Sequence, residues 1–183
     1  MGLFDGLGAA KPRMNANYVR PCHILARIDG VKASTNRKDE AFFAVEMTTL
    51  EDLAPEKFSR ADYGHEEGEE VSHLMMKKHE SFLSNVKGFL MHAGGCSEEE
   101  ANEAAAAMVC SEDQPLTNTI IEVKAQFITT QAGNLFTVVD YSKGVVSPAD
   151  ALARWQGTEQ GQRILERFFP NNLLEELAKA LED

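Results

Sequence analysis

Residues 18–50, YVRPCHILARIDGVKASTNRKDEAFFAVEMTTL, contain the pattern that decides the fold class. Between Tyr18 and Val31 the residues alternate between two faces, and this period of two predicts a β-strand. The polar stretch 33–39 predicts a hairpin loop, because its Ser, Asn and Asp residues favour turns. A second strand is expected at 41–50, so that the two strands form an antiparallel hairpin.

The chain then supplies three more strands and two helices. An acidic insertion at 51–70 contains Pro55 and has no periodicity, so it is predicted to be a long loop. A capping box at 97–100, Ser-Glu-Glu-Glu, predicts the start of a helix. The further elements expected are a strand at 71–78, a helix from Phe82 that stops before Gly94, a helix at 98–109, and strands at 119–129 and 135–141.

This order of elements, β-β-β-α-β-β, is the order of a five-stranded OB-type barrel in which the helix covers one end. SH3-like barrels lack that helix, and a parallel α/β fold would place helices between successive strands. We therefore expect a mainly β protein with helices. Residues 1–17 are predicted to be a flexible arm, 18–145 the OB-fold domain, and 146–183 a helical, acidic C-terminal extension.

The composition describes an ordinary globular protein. The 183 residues are 43% hydrophobic and 26% charged, which excludes fibrous and wholly disordered classes. No apolar run approaches the ~20 residues that cross a bilayer, and the N-terminus lacks the pattern of a secretory signal. The three cysteines are not closely spaced, which suits a reducing compartment. We expect a soluble cytoplasmic protein with no membrane partner.

The charge is segregated along the chain. The net charge of −11 argues against nucleic-acid binding when it is taken as a whole. Residues 9–38, however, contain seven basic residues and one acid, whereas 39–72 contain eleven acids and two basic residues. The folded chain can therefore present a basic face although its total charge is acidic, and the plain alternative is that the acids only confer solubility.

OB folds hold oligonucleotides on strands two and three and on the loops that connect strands one to two and four to five. Such sites combine cations along the backbone with aromatic rings that stack on bases. The residues of this chain that suit those positions are Arg27, Lys32, Arg37, Lys38, Phe42, Lys77, Lys78, Lys124 and Tyr141. Alternatives stay open for each type: Phe42 can belong to the core, Tyr141 can be a rim residue, and the lysines can be a solvated face.

Three stretches resemble the OB-fold single-stranded DNA-binding proteins of bacteriophages. They are YVRPCHILARIDGVKASTNRKDEAFFAVEM from Tyr18, EEVSHLMMKKHESFLSNVKGFL from Glu69 and IIEVKAQFITTQAGNLFTVVDY from Ile120, and the resemblance covers about residues 18–142. It implies sequence-independent coating of single-stranded DNA during replication and recombination. We therefore expect a binding protein without catalysis, cofactor or metal. It also implies an acidic C-terminal tail that reaches partner enzymes, and a location in the host cytoplasm if a phage encodes the protein.

The C-terminal extension departs from that family pattern, because it ends in LLEELAKALED and carries helical signals. Its apolar stripe consists of Leu173, Leu174, Leu177 and Leu181. An isolated helix of about eleven residues is unstable in water, so the stripe must dock. The candidates are the barrel, the basic binding face, a second copy of the chain, and a replication or recombination protein.

The sequence also offers candidate residues for two alternatives, a nuclease and a metal site. Glu122 and Lys124 share one face of a strand and, with Asp113, match the pattern of Mg²⁺-dependent PD-(D/E)xK nucleases. His92 and Cys96 have the spacing of a metal-ligand pair, with further ligands available at His73, His79 and Cys110. A third alternative is a protein-interaction module that binds through its C-terminal helix.

Overall fold

The computed structural model describes residues 17–57 and 63–182. The strands are β1 (Cys22–Thr35), β2 (Ala41–Asp52), β3 (Glu70–Met76), β4 (Ile120–Thr129), β5 (Leu135–Asp140) and β6 (Val145–Val146). The helices are α1 (Phe82–His92), α2 (Glu103–Val109), α3 (Pro148–Trp155), α4 (Glu159–Phe168) and α5 (Leu173–Glu182). The predicted flexible arm lies outside the described residues except for Asn17, whose side chain donates to Glu69 at 2.7 Å.

The strands form one antiparallel sheet in the order β3-β2-β1-β4-β5, and β6 pairs with β4. β1 therefore lies at the centre, and β3 and β5 are the two edges. The sheet is not closed, because among the described residues no backbone ladder joins β3 to β5. The expectation of an antiparallel sheet combined with helices is confirmed, but helices occupy nearly as many described residues as strands, so the fold is mixed α/β rather than mainly β.

Two apolar cores lie on opposite faces of the sheet. The larger core takes the alternate residues of β1 that the sequence pattern predicts, such as Ile24 and Ile28, and packs them under α1 and α2. Phe43 of β2 meets Phe89 of α1 edge to face, with 5.7 Å between ring centroids. Because successive strand residues point to opposite faces, the residues between them are left for a second core.

The C-terminal extension builds that second core. Trp155, Ile164 and Leu174 pack against Leu25 of β1 and Leu50 of β2, and all five are nearly inaccessible to solvent. The extension is helical, as predicted, and it docks on the sheet. Along the predicted stripe the burial decreases toward the C-terminus: Leu174 is buried, Leu173 and Leu177 are half-buried, and Leu181 is 69% exposed.

Carboxylates of the acidic insertion hold the extension in place. The Glu51 carboxylate accepts from Arg154 at 2.7 and 2.8 Å and from the Trp155 indole at 2.8 Å. Burial by itself raises the pKa of Glu51, but the hydrogen bonds from Arg154 and Trp155 and the Arg154 charge together lower it. Glu67 accepts from Arg163 at 2.9 and 3.2 Å. Glu51 and Glu67 of the insertion are therefore paired with the extension, whereas residues 55–57 are exposed and 58–62 lie outside the described residues.

Helix α2 begins five residues later than predicted. The capping box forms, since the Ser97 amide donates to Glu100 Oε2 at 2.8 Å and the Glu100 amide donates to Ser97 Oγ at 3.2 Å. These bonds close only a turn. Asn102 then caps the helix itself, because its side-chain oxygen accepts from the amides of Ala104 and Ala105.

Replacing Trp155 by Ala tests the docking of the extension. The side chain is 2% exposed and donates to Glu51, so its loss leaves a cavity and removes one hydrogen bond from the Glu51 carboxylate, which keeps its two bonds from Arg154. We expect a loss of about 3–5 kcal/mol in the free energy of unfolding, measured by urea titration. Leu181→Ala, at an exposed position of the same extension, should change it by less than about 0.5 kcal/mol. Equal, small effects of the two variants would mean that the extension is not docked.

Candidate nucleic-acid interface

Four of the predicted cations meet at one end of the sheet, where the β1–β2 hairpin lies beside the end of β3. We call this group, Arg37, Lys38, Lys77 and Lys78, the cationic end. The Lys77 amide donates to the carbonyl of Ala41 at 2.9 Å, which ties the end of β3 to the start of β2. All four side chains are exposed. The structure therefore assembles residues that are 40 positions apart in the chain.

The hairpin that carries two of these cations has a defined conformation. The Asn36 side-chain oxygen accepts from the amides of Lys38 and Glu40 at 2.8 and 3.1 Å. Asp39 takes the left-handed backbone conformation, with φ of 58°. Glu40 in turn accepts from Lys78 at 2.8 Å, so one of the four cations is already neutralised. Arg37, Lys38 and Lys77 have no ion-pair partner among the described residues.

Phe42 points away from the core, as the strand alternation predicts. Its neighbour Phe43 is 3% exposed, whereas Phe42 is half-buried on the opposite face. Phe42 lies between Ser34 of β1 and Met76 of β3 in the strand register. The ring is therefore next to the cationic end and is partly accessible to solvent.

A cleft of about 510 Å³ separates the two edge strands. We call it the edge cleft, and its walls come from β3, β5 and the start of α1. Its aromatic lining residues are Tyr18, Phe82 and Phe136, together with the imidazoles of His73 and His79. His79, directly after Lys77 and Lys78, meets Phe136 edge to face with 6.1 Å between ring centroids. The cleft therefore opens beside the cationic end.

Tyr141 is not a surface residue, which corrects its predicted role in base stacking. It is 5% exposed and packs edge to face on Phe89, with 5.2 Å between ring centroids. Its hydroxyl is hydrogen-bonded to Nδ1 of His73 at 2.7 Å. Burial raises the pKa of Tyr141 and lowers the pKa of His73 to about 4, so both groups are neutral at pH 7. Their hydrogen bond joins the β3 side to the β5 side below the edge cleft.

Arg27 and Lys32 do not belong to the cationic end, and both side chains already have polar partners. The Arg27 guanidinium donates to the carbonyl of Phe168 at 2.9 Å and to Asp29 at 3.0 Å, so it holds the end of α4. The prediction that Arg27 contacts nucleic acid is therefore corrected, because its guanidinium is already bound to the C-terminal extension. Lys32 is exposed but forms an ion pair with Glu46 on the neighbouring strand.

Lys124 lies in a second cavity of about 530 Å³, which we call the hairpin cavity. Among the described residues, the hairpin cavity and the edge cleft share only Val138 in their linings, so the β4–β5 hairpin separates them. On the same face as Lys124, the Glu122 carboxylate is hydrogen-bonded to His23 Nε2 at 2.6 Å. Lys124 is therefore apart from the other predicted cations.

The structure does not assemble the alternative sites. The Gln114 side chain bonds to Val31, whereas Glu122 pairs with Leu25, six residues earlier on β1, so Asp113 is not beside Glu122. Within 17–57 and 63–182, no three His, Cys, Asp or Glu side chains are arranged to hold a metal ion.

Sequence reasoning missed the exposed apolar residues of the β4–β5 hairpin. Alternation places Phe127 on the core face with Ala125, but β1 pairs with β4 only as far as Ala125, so the hairpin projects beyond the sheet. Phe127 is 38%, Ile128 42% and Phe136 39% exposed. A signal was present, because no charged residue occurs between Lys124 and Asp140 in a chain that is otherwise rich in charge.

Comparison with protein families finds none that matches this chain, and comparison with curated proteins finds no significant relative. No helix in the described part of the chain is long and apolar enough to cross a membrane.

Proposed function

We propose that this protein binds single-stranded DNA without catalysing a reaction, and that its sheet is an incompletely closed barrel of the OB type. The strand order supports the fold proposal, because an OB barrel also has its first strand between the second and the fourth. The resemblance of residues 18–142 to phage single-stranded DNA-binding proteins adds a role in replication and recombination.

The edge cleft beside the cationic end carries the proposal. Single-strand binding without sequence preference needs aromatic faces for bases and cations for the backbone. Phe136 and Phe42 offer partly exposed rings, and Arg37, Lys38 and Lys77 offer cations without ion-pair partners in the described chain. A duplex cannot present its bases to such rings, because they are stacked within the helix.

The acidic total charge is compatible with this function. Several carboxylates are already matched internally, since Glu51, Glu67 and Glu69 each form an ion pair with an arginine. Repulsion of DNA by the remaining acids decreases with distance and is screened beyond about 8–10 Å at physiological salt. The local balance at the cationic end therefore matters more than the net charge.

Salt dependence tests the electrostatic part of the proposal. Three phosphate contacts predict a slope of log K against log salt of about −2, or roughly a twentyfold loss of affinity between about 50 and 200 mM salt. The double variant Arg37→Ala/Lys38→Ala should reduce the slope to about −0.7, measured by fluorescence anisotropy with labelled oligo-dT. Lys143→Ala/Lys179→Ala removes two exposed lysines elsewhere and should leave the slope unchanged. An unchanged slope in the first variant would exclude the β1–β2 hairpin as a phosphate contact.

Aromatic stacking is tested by Phe136→Ala and Phe42→Ala. Each should cost about 1–3 kcal/mol of binding to oligo-dT, because stacking on one base is lost. Leu135→Ala is the matched control, since Leu135 is 67% exposed on the same hairpin and lines neither cavity. Oligo-rU and a duplex of the same length report on RNA and duplex binding. Wild-type affinity of Phe136→Ala, with an unchanged melting temperature, would rule out the edge cleft as the base site. The same result for Phe42→Ala would exclude the Phe42 ring, which lies beside the cationic end and outside the lining of the cleft.

A further inference from the structure

The hairpin cavity has the features of a binding site that the proposed function does not use. It lies on the other side of the β4–β5 hairpin from the edge cleft and is walled by the start of β1, by β4 and by Asp140 of β5. Its volume of about 530 Å³ falls in the range of pockets that hold small organic groups. One wall is the ring of Phe127, which is 38% exposed and meets Tyr63 edge to face at 5.6 Å.

The polar groups that line the cavity suit the edge of a nucleobase. The lining contains the ammonium groups of Lys57 and Lys124 and the carboxylate of Asp140, whereas Glu122 lies outside it and is hydrogen-bonded to His23. Asp140 accepts from the Ser142 amide at 2.7 Å, which fixes its carboxylate. The amide of Gln126 is exposed on the same wall. Amide, ammonium and carboxylate groups can hydrogen-bond the edge of a nucleobase while its face stacks on Phe127.

We propose that the hairpin cavity is a second base-binding site, and that one single strand crosses the projecting β4–β5 hairpin with a base in each cavity. This inference rests on the proposed function, because it continues the strand that the edge cleft holds. The hairpin has exposed aromatic rings toward both cavities, Phe136 toward the edge cleft and Phe127 toward the hairpin cavity. Because it carries no charge between Lys124 and Asp140, it does not repel the backbone that passes over it.

The length of the bound oligonucleotide provides the test. A short strand should occupy the edge cleft first, because the cationic end adjoins that cavity. A longer strand should reach both cavities. The full-length protein is titrated with oligo-dT of about 4 and about 16 nucleotides, the range of site sizes for one OB fold. Phe127→Ala should weaken binding of the longer strand about tenfold and leave the shorter strand unaffected, whereas Phe136→Ala should weaken both.

A second variant and a control keep the outcome unambiguous. Gln126→Ala changes an exposed side chain of the same wall and should give the same length dependence with a smaller loss. Leu135→Ala should change neither affinity. If Phe136→Ala weakens binding while Phe127→Ala and Gln126→Ala have no effect at either length, the second site is overturned and the proposed function stands. An equal loss for both lengths, or a change in oligomeric mass on light scattering, also overturns it. If the wild-type protein binds neither strand, the proposed function itself has failed.

Discussion

Strand β1 pairs with β2 along one side and with β4 along the other, and it buries side chains on both faces. This central position determines where the remaining elements can lie. β3 and β5 are the edge strands. On its outer side β3 binds the segment 17–19 through the backbone of Ser72, and among the described residues no backbone ladder joins β3 to β5. The His73–Tyr141 hydrogen bond and the ring of Phe89 connect the two sides below. The edge cleft is the space that remains above them.

Burial of the second face explains the C-terminal extension. A sheet that exposed Leu25, Leu50 and Ile120 to water would present an apolar patch, and α3, α4 and α5 cover it. The acidic insertion is the electrostatic counterpart of that cover, because Glu51 and Glu67 receive arginines from the helices. The same docking removes Arg27 from the accessible cations. Arg37, Lys38 and Lys77, which form no ion pair among the described residues, remain together at the end of the sheet.

Local sequence patterns predicted the strands well. They failed at positions where a contact with another element determines whether a side chain is buried. Alternation placed Phe43 in the core and Phe42 outside it, because a period of two depends only on the strand itself. Tyr141 follows a strand whose pattern leaves its direction open, and the contact with His73 fixes it inside. The start of α2 was misplaced because two good N-cap residues, Ser97 and Asn102, lie five positions apart. The projection of Phe127 depends on where β1 begins, because the first residue of β1, Cys22, pairs with Ala125, and no pattern within β4 contains that information.

Hydrogen exchange measured by mass spectrometry, with and without saturating oligo-dT, tests the central claim that the open edge of the sheet is the binding site. Backbone amides at a free strand edge exchange readily and become protected when a ligand covers them. We predict slower exchange in β3, in the residues just after it, and in the β4–β5 hairpin, with no change in α3, α4 and α5. Protection confined to the C-terminal helices, or none at saturation, would contradict it.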